Sequence, residues 1–150
     1  MLGISLLRSP IYPDPYADEG DHEFLYAIYP HRGNWRNGTV RAAKELHRPL
    51  RYSRGRPDAI HSSLLRLSGG VLELACLKRA EDCDDVVVRL YEPHGDRGHI
   101  VLESMVRLER AAIVNILEEQ LEELPVEDGR RMTVSFTPFQ VVSLRLSFAG

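Results

Sequence analysis

A chain of 150 residues that is 43% hydrophobic and 27% charged can bury one compact core or two small packed units, which excludes wholesale disorder. Its formal charge of −3 is too small to imply a strongly acidic or basic partner. No run of about 20 apolar residues spans a bilayer and no leader-type segment opens the chain, so the expected location is cytoplasmic with no membrane partner.

Taken in order, Gly3 to Arg8 alternates weakly and predicts a strand that breaks at Ser9-Pro10. Prolines 10, 13 and 15, mixed with Asp14, Asp18, Glu19, Gly20 and Asp21, make Pro10 to Asp21 a long loop, because proline removes ladder donors. His22 to Tyr29 puts Phe24, Tyr26 and Ile28 on one face and Leu25, Ala27 and Tyr29 on the other, which predicts a strand buried on both sides. Pro30 to Gly38 is turn-rich, and Thr39 to Leu46 reads as a helix or an extended linker. Arg48 to Pro57 has no apolar periodicity and marks a boundary or crossover. That divides the chain into residues 1–55 and 56–150.

Beyond the boundary, Ser62 to Leu67 and Val71 to Arg79 are strands separated by Gly69-Gly70, and Asp82 to Asp85 turns the chain into Val86 to Tyr91. Gly95 to Gly98 turns it again, and Ile100 to Leu108 alternates as a strand. From periodicity, Glu109 to Leu124 is a helix with Ile113, Ile116, Leu117 and Leu121 on one stripe. Two closing strands lie within Met132 to Phe148, divided by Thr137-Pro138. Strands at roughly ten-residue spacing argue for an all-β fold, an antiparallel β-sandwich.

Signals for chemistry are sparse. Cys76 falls in a strand and Cys83 in a turn, too few thiols for a disulfide framework or a zinc site. Asp18, Asp21, His22 and His31 offer metal-type ligands, but a strand of about 25 Å would separate His22 from His31. Cys83 with His94 lacks the second pair of a tetrahedral set. Eight cations between Arg32 and Pro57 face one acid, Glu45; on a chain of negative net charge this reads as a basic linker, and no nucleic-acid partner is expected. Ser9 precedes proline, and Ser62-Ser63 after His61 lacks the glycine-flanked elbow of a nucleophilic serine.

Two stretches carry a resemblance. Leu6 to Trp35, LLRSPIYPDPYADEGDHEFLYAIYPHRGNW, resembles the end of the large β-supersandwich in bacterial α-mannosidases of glycoside hydrolase family 38. Leu77 to Gly98, LKRAEDCDDVVVRLYEPHGDRG, is similar to the strand pair opening their small C-terminal sandwich. The ending MTVSFTPFQVVSLRL resembles the family's final strands, with Gln140 where glutamate is usual. The resemblance makes the segment matching Arg107 to Glu118 extended, and this overrides the helical periodicity.

By the same resemblance, the catalytic carboxylates and the zinc belong to a catalytic domain whose sequence is absent here. The chain is therefore expected to hold no catalytic, cofactor-binding or metal residues. Its implied role is to complete the fold of an α-mannosidase acting on terminal α-mannosides, with Asp14, Asp18, His22, His31 and Trp35 as candidates for the substrate-pocket rim. Prolines with Asp and Gly are also ordinary turn chemistry, and a tryptophan at a strand end is often a core plug. The expected partner is the catalytic domain, or a second copy through an exposed sheet edge. The alternative is a free-standing sandwich that binds carbohydrate or protein without catalysis.

Overall fold

The structure, a computed structural model, describes residues 3–49, 54 and 63–149. It divides into two compact units, Met1–Leu46 and His47–Gly150. The 48–57 crossover, the start of the strand at Ser62 and the His61-Ser62 pair lie wholly or partly outside the described residues. Among the described residues no helix is long and apolar enough to cross a membrane.

The second unit is built as expected, an antiparallel β-fold of eight strands: β1 (Leu65–Ser68), β2 (Glu73–Arg79), β3 (Val86–Tyr91), β4 (Gly98–Ser104), β5 (Leu108–Val114), β6 (Gln120–Leu124), β7 (Arg131–Phe136) and β8 (Val141–Phe148). They form a three-stranded sheet in the order β1-β4-β7 and a five-stranded sheet in the order β2-β3-β8-β5-β6. The period-two pattern sets which side chains face in. In β7, Met132, Val134 and Phe136 are buried while Arg131, Thr133 and Ser135 are exposed, and the inner faces of both sheets meet in one core containing Leu90, Ile100, Leu102, Leu144 and Leu146. Each such side chain contributes about 1.5–3 kcal/mol by leaving water. Gly69 has φ +93, a conformation open to glycine and costly for a side chain. At Gly70 an added Cβ would lie 3.0 Å from the Phe136 ring and 3.1 Å from Ile100.

The segment is extended, as the resemblance implied for Arg107 to Glu118, and forms strands β5 and β6 in place of the helix that periodicity alone gave for Glu109 to Leu124. The reason lies in Asn115, whose Oδ1 accepts the N–H groups of Leu117 at 2.9 Å and Glu119 at 3.0 Å. Those bonds close a turn in place of the next helical rung. Ile116, Leu117 and Leu121 of the proposed stripe are consequently exposed. The single strand expected at Ile100 to Leu108 is also two elements, because Ser104 Oγ donates to the Val106 carbonyl and accepts its N–H. That turn carries the chain from one sheet to the other.

In the first unit, the ambiguous segment at Thr39 is a helix, α1 (Thr39–His47). Gly38 supplies the carbonyl for its first bond, from Ala42 N at 2.9 Å. The strands expected at Gly3 to Arg8 and His22 to Tyr29 are absent. Neither segment has a ladder partner among the described residues, and Phe24, Leu25, Tyr26, Ile28 and Tyr29 are all exposed. Strand-forming side chains fix a strand only where a neighbour pairs the backbone and covers the face.

Candidate functional site

The rim candidates divide into two local clusters within the first unit. Asp14 Oδ1 accepts the Tyr16 N–H at 2.9 Å, a turn formed by the aspartate on its own backbone. Asp18 Oδ2 accepts the Ser9 N–H at 2.8 Å, and His22 Nε2 donates to the Asp18 carbonyl at 3.0 Å. These bonds tie the ends of the acidic loop together. His31 Nδ1 donates to the Arg32 carbonyl at 3.2 Å, which leaves Nε2 to accept the Thr39 hydroxyl at 3.2 Å. The His31 ring also stacks on Tyr29 with centroids 5.3 Å apart. Trp35 is 43% exposed, with the Arg36 guanidinium carbon 5.4 Å from its ring centroid. Trp35 therefore does not plug a core.

Two carboxylates in the second unit, which the sequence reading passed over, are buried. Glu92, 2% exposed, follows β3 and accepts N–H groups from His94 and Gly95 at 2.7 Å and from Phe139 at 2.9 Å. Burial pushes its pKa up, but the amides of Phe139, His94, Asp96 and Gly95 outweigh that and hold it below the ordinary carboxylate value. The available sequence signal was an acid at a strand end followed by Pro-His-Gly, where a carboxylate reaches the amides two and three residues on.

Glu118 sits in the β5–β6 turn at φ 67. Its Oε1 meets Lys78 Nζ at 2.7 Å and its Oε2 accepts the Glu81 N–H at 2.9 Å. The Lys78 contact, then the Glu81 amide, lower its pKa against the opposing effect of burial. Its carbonyl accepts Arg145, whose guanidinium also lies 3.4 Å from Asp82. The turn is thereby fastened to β2 and β8.

Asp18, Asp21, His22 and His31 do not converge as a ligand set, and Cys83 joins no group of three metal-type side chains among the described residues. Among the described residues the one grouping of three metal-type side chains is Glu92, His94 and Asp96, with ligand atoms within 4.8 Å of one another. Its buried member is already surrounded by amide N–H groups, whose positive ends oppose a cation at the same oxygens. This donor set does not fit a zinc ion. Both cysteines are free thiols.

Comparison with known proteins places this geometry. Residues 72–144 match the model of the glycosyl hydrolases family 38 C-terminal beta sandwich domain, a span running from the start of β2 into β8. The chain is 36% identical over 155 residues to Alpha-mannosidase 2C1 of Mus musculus, covering 97% of this chain and 15% of that protein. It is 32% identical over 171 residues to the Alpha-mannosidase of Saccharomyces cerevisiae, covering 99% of this chain and 16% of that protein. The chain thus spans about one sixth of the length of these relatives. It belongs to glycoside hydrolase family 38, as a C-terminal β-sandwich domain of the α-mannosidases.

Proposed function

We propose that this chain is the non-catalytic C-terminal part of an α-mannosidase-like glycoside hydrolase, completing the fold of the enzyme and the rim of the pocket that takes terminal α-mannosides. The observation that carries this is the state of residues 3–35. They hold strand-type apolar side chains, yet these lie exposed with no ladder beside them. Such a segment lacks the neighbour that would bury it, and the relatives are about six times longer than the match.

A non-catalytic role also agrees with the chemistry of the buried acids. A retaining glycosidase needs a carboxylate free to attack and a second that keeps a proton at neutral pH, about 5 Å apart. Glu92 and Glu118 are both committed to amides or Lys78 and both shifted toward the ionised form. Zinc and the reacting carboxylates are therefore assigned to the remainder of the enzyme. Asp14, Asp18, His22, His31 and Trp35 are assigned to the rim through their exposed loops, and the free thiols agree with a reducing, cytoplasmic location. In isolation the uncovered segment favours self-association.

The test is hydrolysis of a chromogenic α-mannoside by the purified chain, with and without added zinc, and again after co-expression with the N-terminal remainder of its enzyme. The expected result is turnover only on co-expression. Zinc-dependent turnover by the chain alone, surviving repurification, overturns the proposal.

A further inference from the structure

We infer that the sandwich itself carries a binding site for a neutral hexose unit, in the cleft between its two open margins at β6 and β7. This site does not depend on whether the full enzyme hydrolyses α-mannosides. β6 is the edge of the five-stranded sheet and β7 the edge of the three-stranded sheet. The gap at this side is a cleft of about 450 Å³, within the roughly 300–1,000 Å³ of small-molecule sites.

Its lining has the two components that a sugar requires. The polar component is Glu122, Thr133, Ser135 and Gln140. Glu122, Thr133 and Ser135 make no side-chain hydrogen bond to another described residue. Gln140 spends Oε1 on the Thr137 N–H at 2.8 Å and hydroxyl at 3.1 Å, which leaves its amide nitrogen as a donor. Thr133 and Ser135 are two residues apart on one edge strand, about 7 Å, far enough apart to reach hydroxyls on opposite sides of one pyranose ring. The apolar component is the floor of Leu124 and Phe136, against which the C–H face of a sugar can pack. Ile113 pairs with Glu122 in register and places that carboxylate at the boundary of floor and wall.

Charge narrows the ligand. Glu122 is the one ionised group of the lining, so an anionic ligand is repelled and a divalent cation finds a single carboxylate, fewer than it requires. Hydroxyls, an amide and one carboxylate over an apolar floor favour a neutral polyol. The opposite margin of the sandwich differs, being lined by Leu65, Leu67, Leu74 and Leu77 with almost no polar group to orient a ligand.

The test is amide NMR of the isotope-labelled chain titrated with the methyl glycosides of mannose, glucose and galactose, and with glucuronate as the anionic comparison. Saturable shifts at Glu122, Thr133, Ser135 and Gln140 are expected with at least one neutral glycoside. Ser135→Tyr, which fills the cleft from an exposed position, should abolish them. Glu122→Gln, which keeps the size of the side chain, should weaken binding about tenfold, equivalent to 1.4 kcal/mol. Failure of all three glycosides, binding untouched by both substitutions, or glucuronate binding as tightly as the neutral sugars would each overturn the site.

Discussion

Glu92 and Phe139 are 47 residues apart, yet the Glu92 carboxylate accepts the Phe139 N–H at 2.9 Å. The bond is returned by the backbone, since Glu92 N donates to the Gln140 carbonyl at 2.9 Å. Phe139 holds φ 57, a conformation that a non-glycine residue adopts only when its surroundings impose it. One buried carboxylate therefore fixes both the turn after β3 and the turn between β7 and β8.

Removing that carboxylate should be costly. Glu92→Ala takes the acceptor from the partly buried bonds of the His94, Gly95 and Phe139 amides, and the expected loss is about 3 kcal/mol, read from the urea midpoint. Glu92→Gln should recover little, because its NH₂ faces donors. The folded-state pKa is below the ordinary 4.5, so the contribution is full above the unfolded value and is lost as pH falls through the folded one. Stability of the parent chain should drop below about pH 4.5 and that of Glu92→Ala should drop less; equal acid sensitivity would contradict the assignment.

The Lys78–Glu118 pair fastens the β5–β6 turn, and its removal should loosen that turn first. Glu118→Ala is expected to lower Tm by several degrees and to speed proteolysis at 115–119. Glu118→Gly loses the same carboxylate but relaxes the backbone at φ 67, so it should cost less than alanine. Lys78 is raised above 10.5 by the Glu118 contact. Stabilisation from the pair is then full below 10.5 and lost as pH rises through the folded value, the mirror of its acid limit at Glu118. Lys78→Met with Glu118→Ala should cost less than the two single losses added.

Much of the second unit is legible from side-chain alternation, because β3, β7 and β8 alternate or run apolar as their burial requires. The β5–β6 hairpin is not, since glutamate, leucine and alanine suit a helix and the decision rests on the Asn115 turn. The resemblance to the family supplied the correct extended state where periodicity did not. Phe24 to Tyr29 misled for the opposite reason: its pattern describes a buried strand, but a strand is a property of two chains and the second is missing among the described residues. At Glu92 only the local half was legible, the amides of His94 and Gly95 just beyond the strand end; the Phe139 amide comes from the β7–β8 turn, far along the sequence.

Edge protection gives a third prediction. β2 pairs on one side with β3 and carries a register shift between Leu74 and Cys76. Arg48 Nη2 donates to the Ala75 carbonyl at the shift, at 2.8 Å. A bulge with a cation across it is a standard defence of an open edge. Arg48→Ala should leave Tm within about 1 kcal/mol of equivalent stability while increasing the dimer fraction in sedimentation at a given concentration. An unchanged monomer–dimer distribution would mean that Arg48 does not guard the edge.

The uncovered segment of the first unit permits the sharpest separation of an isolated chain from a completed enzyme. Tyr26 and Ile28, placed on one face by the alternation of the sequence, are 60% and 75% exposed. Replacing both by aspartate removes little from the isolated chain, so its Tm should hold and its solubility should rise. If the segment is buried by the remainder of the enzyme, the two side chains together contribute about 3–6 kcal/mol to that association, a hundredfold or more in Kd. Co-expression of the double variant with the N-terminal remainder should then recover little complex and little α-mannoside hydrolysis. Full recovery of complex would show that these residues stay in solvent, and would move the contact between the two parts of the enzyme to the sandwich.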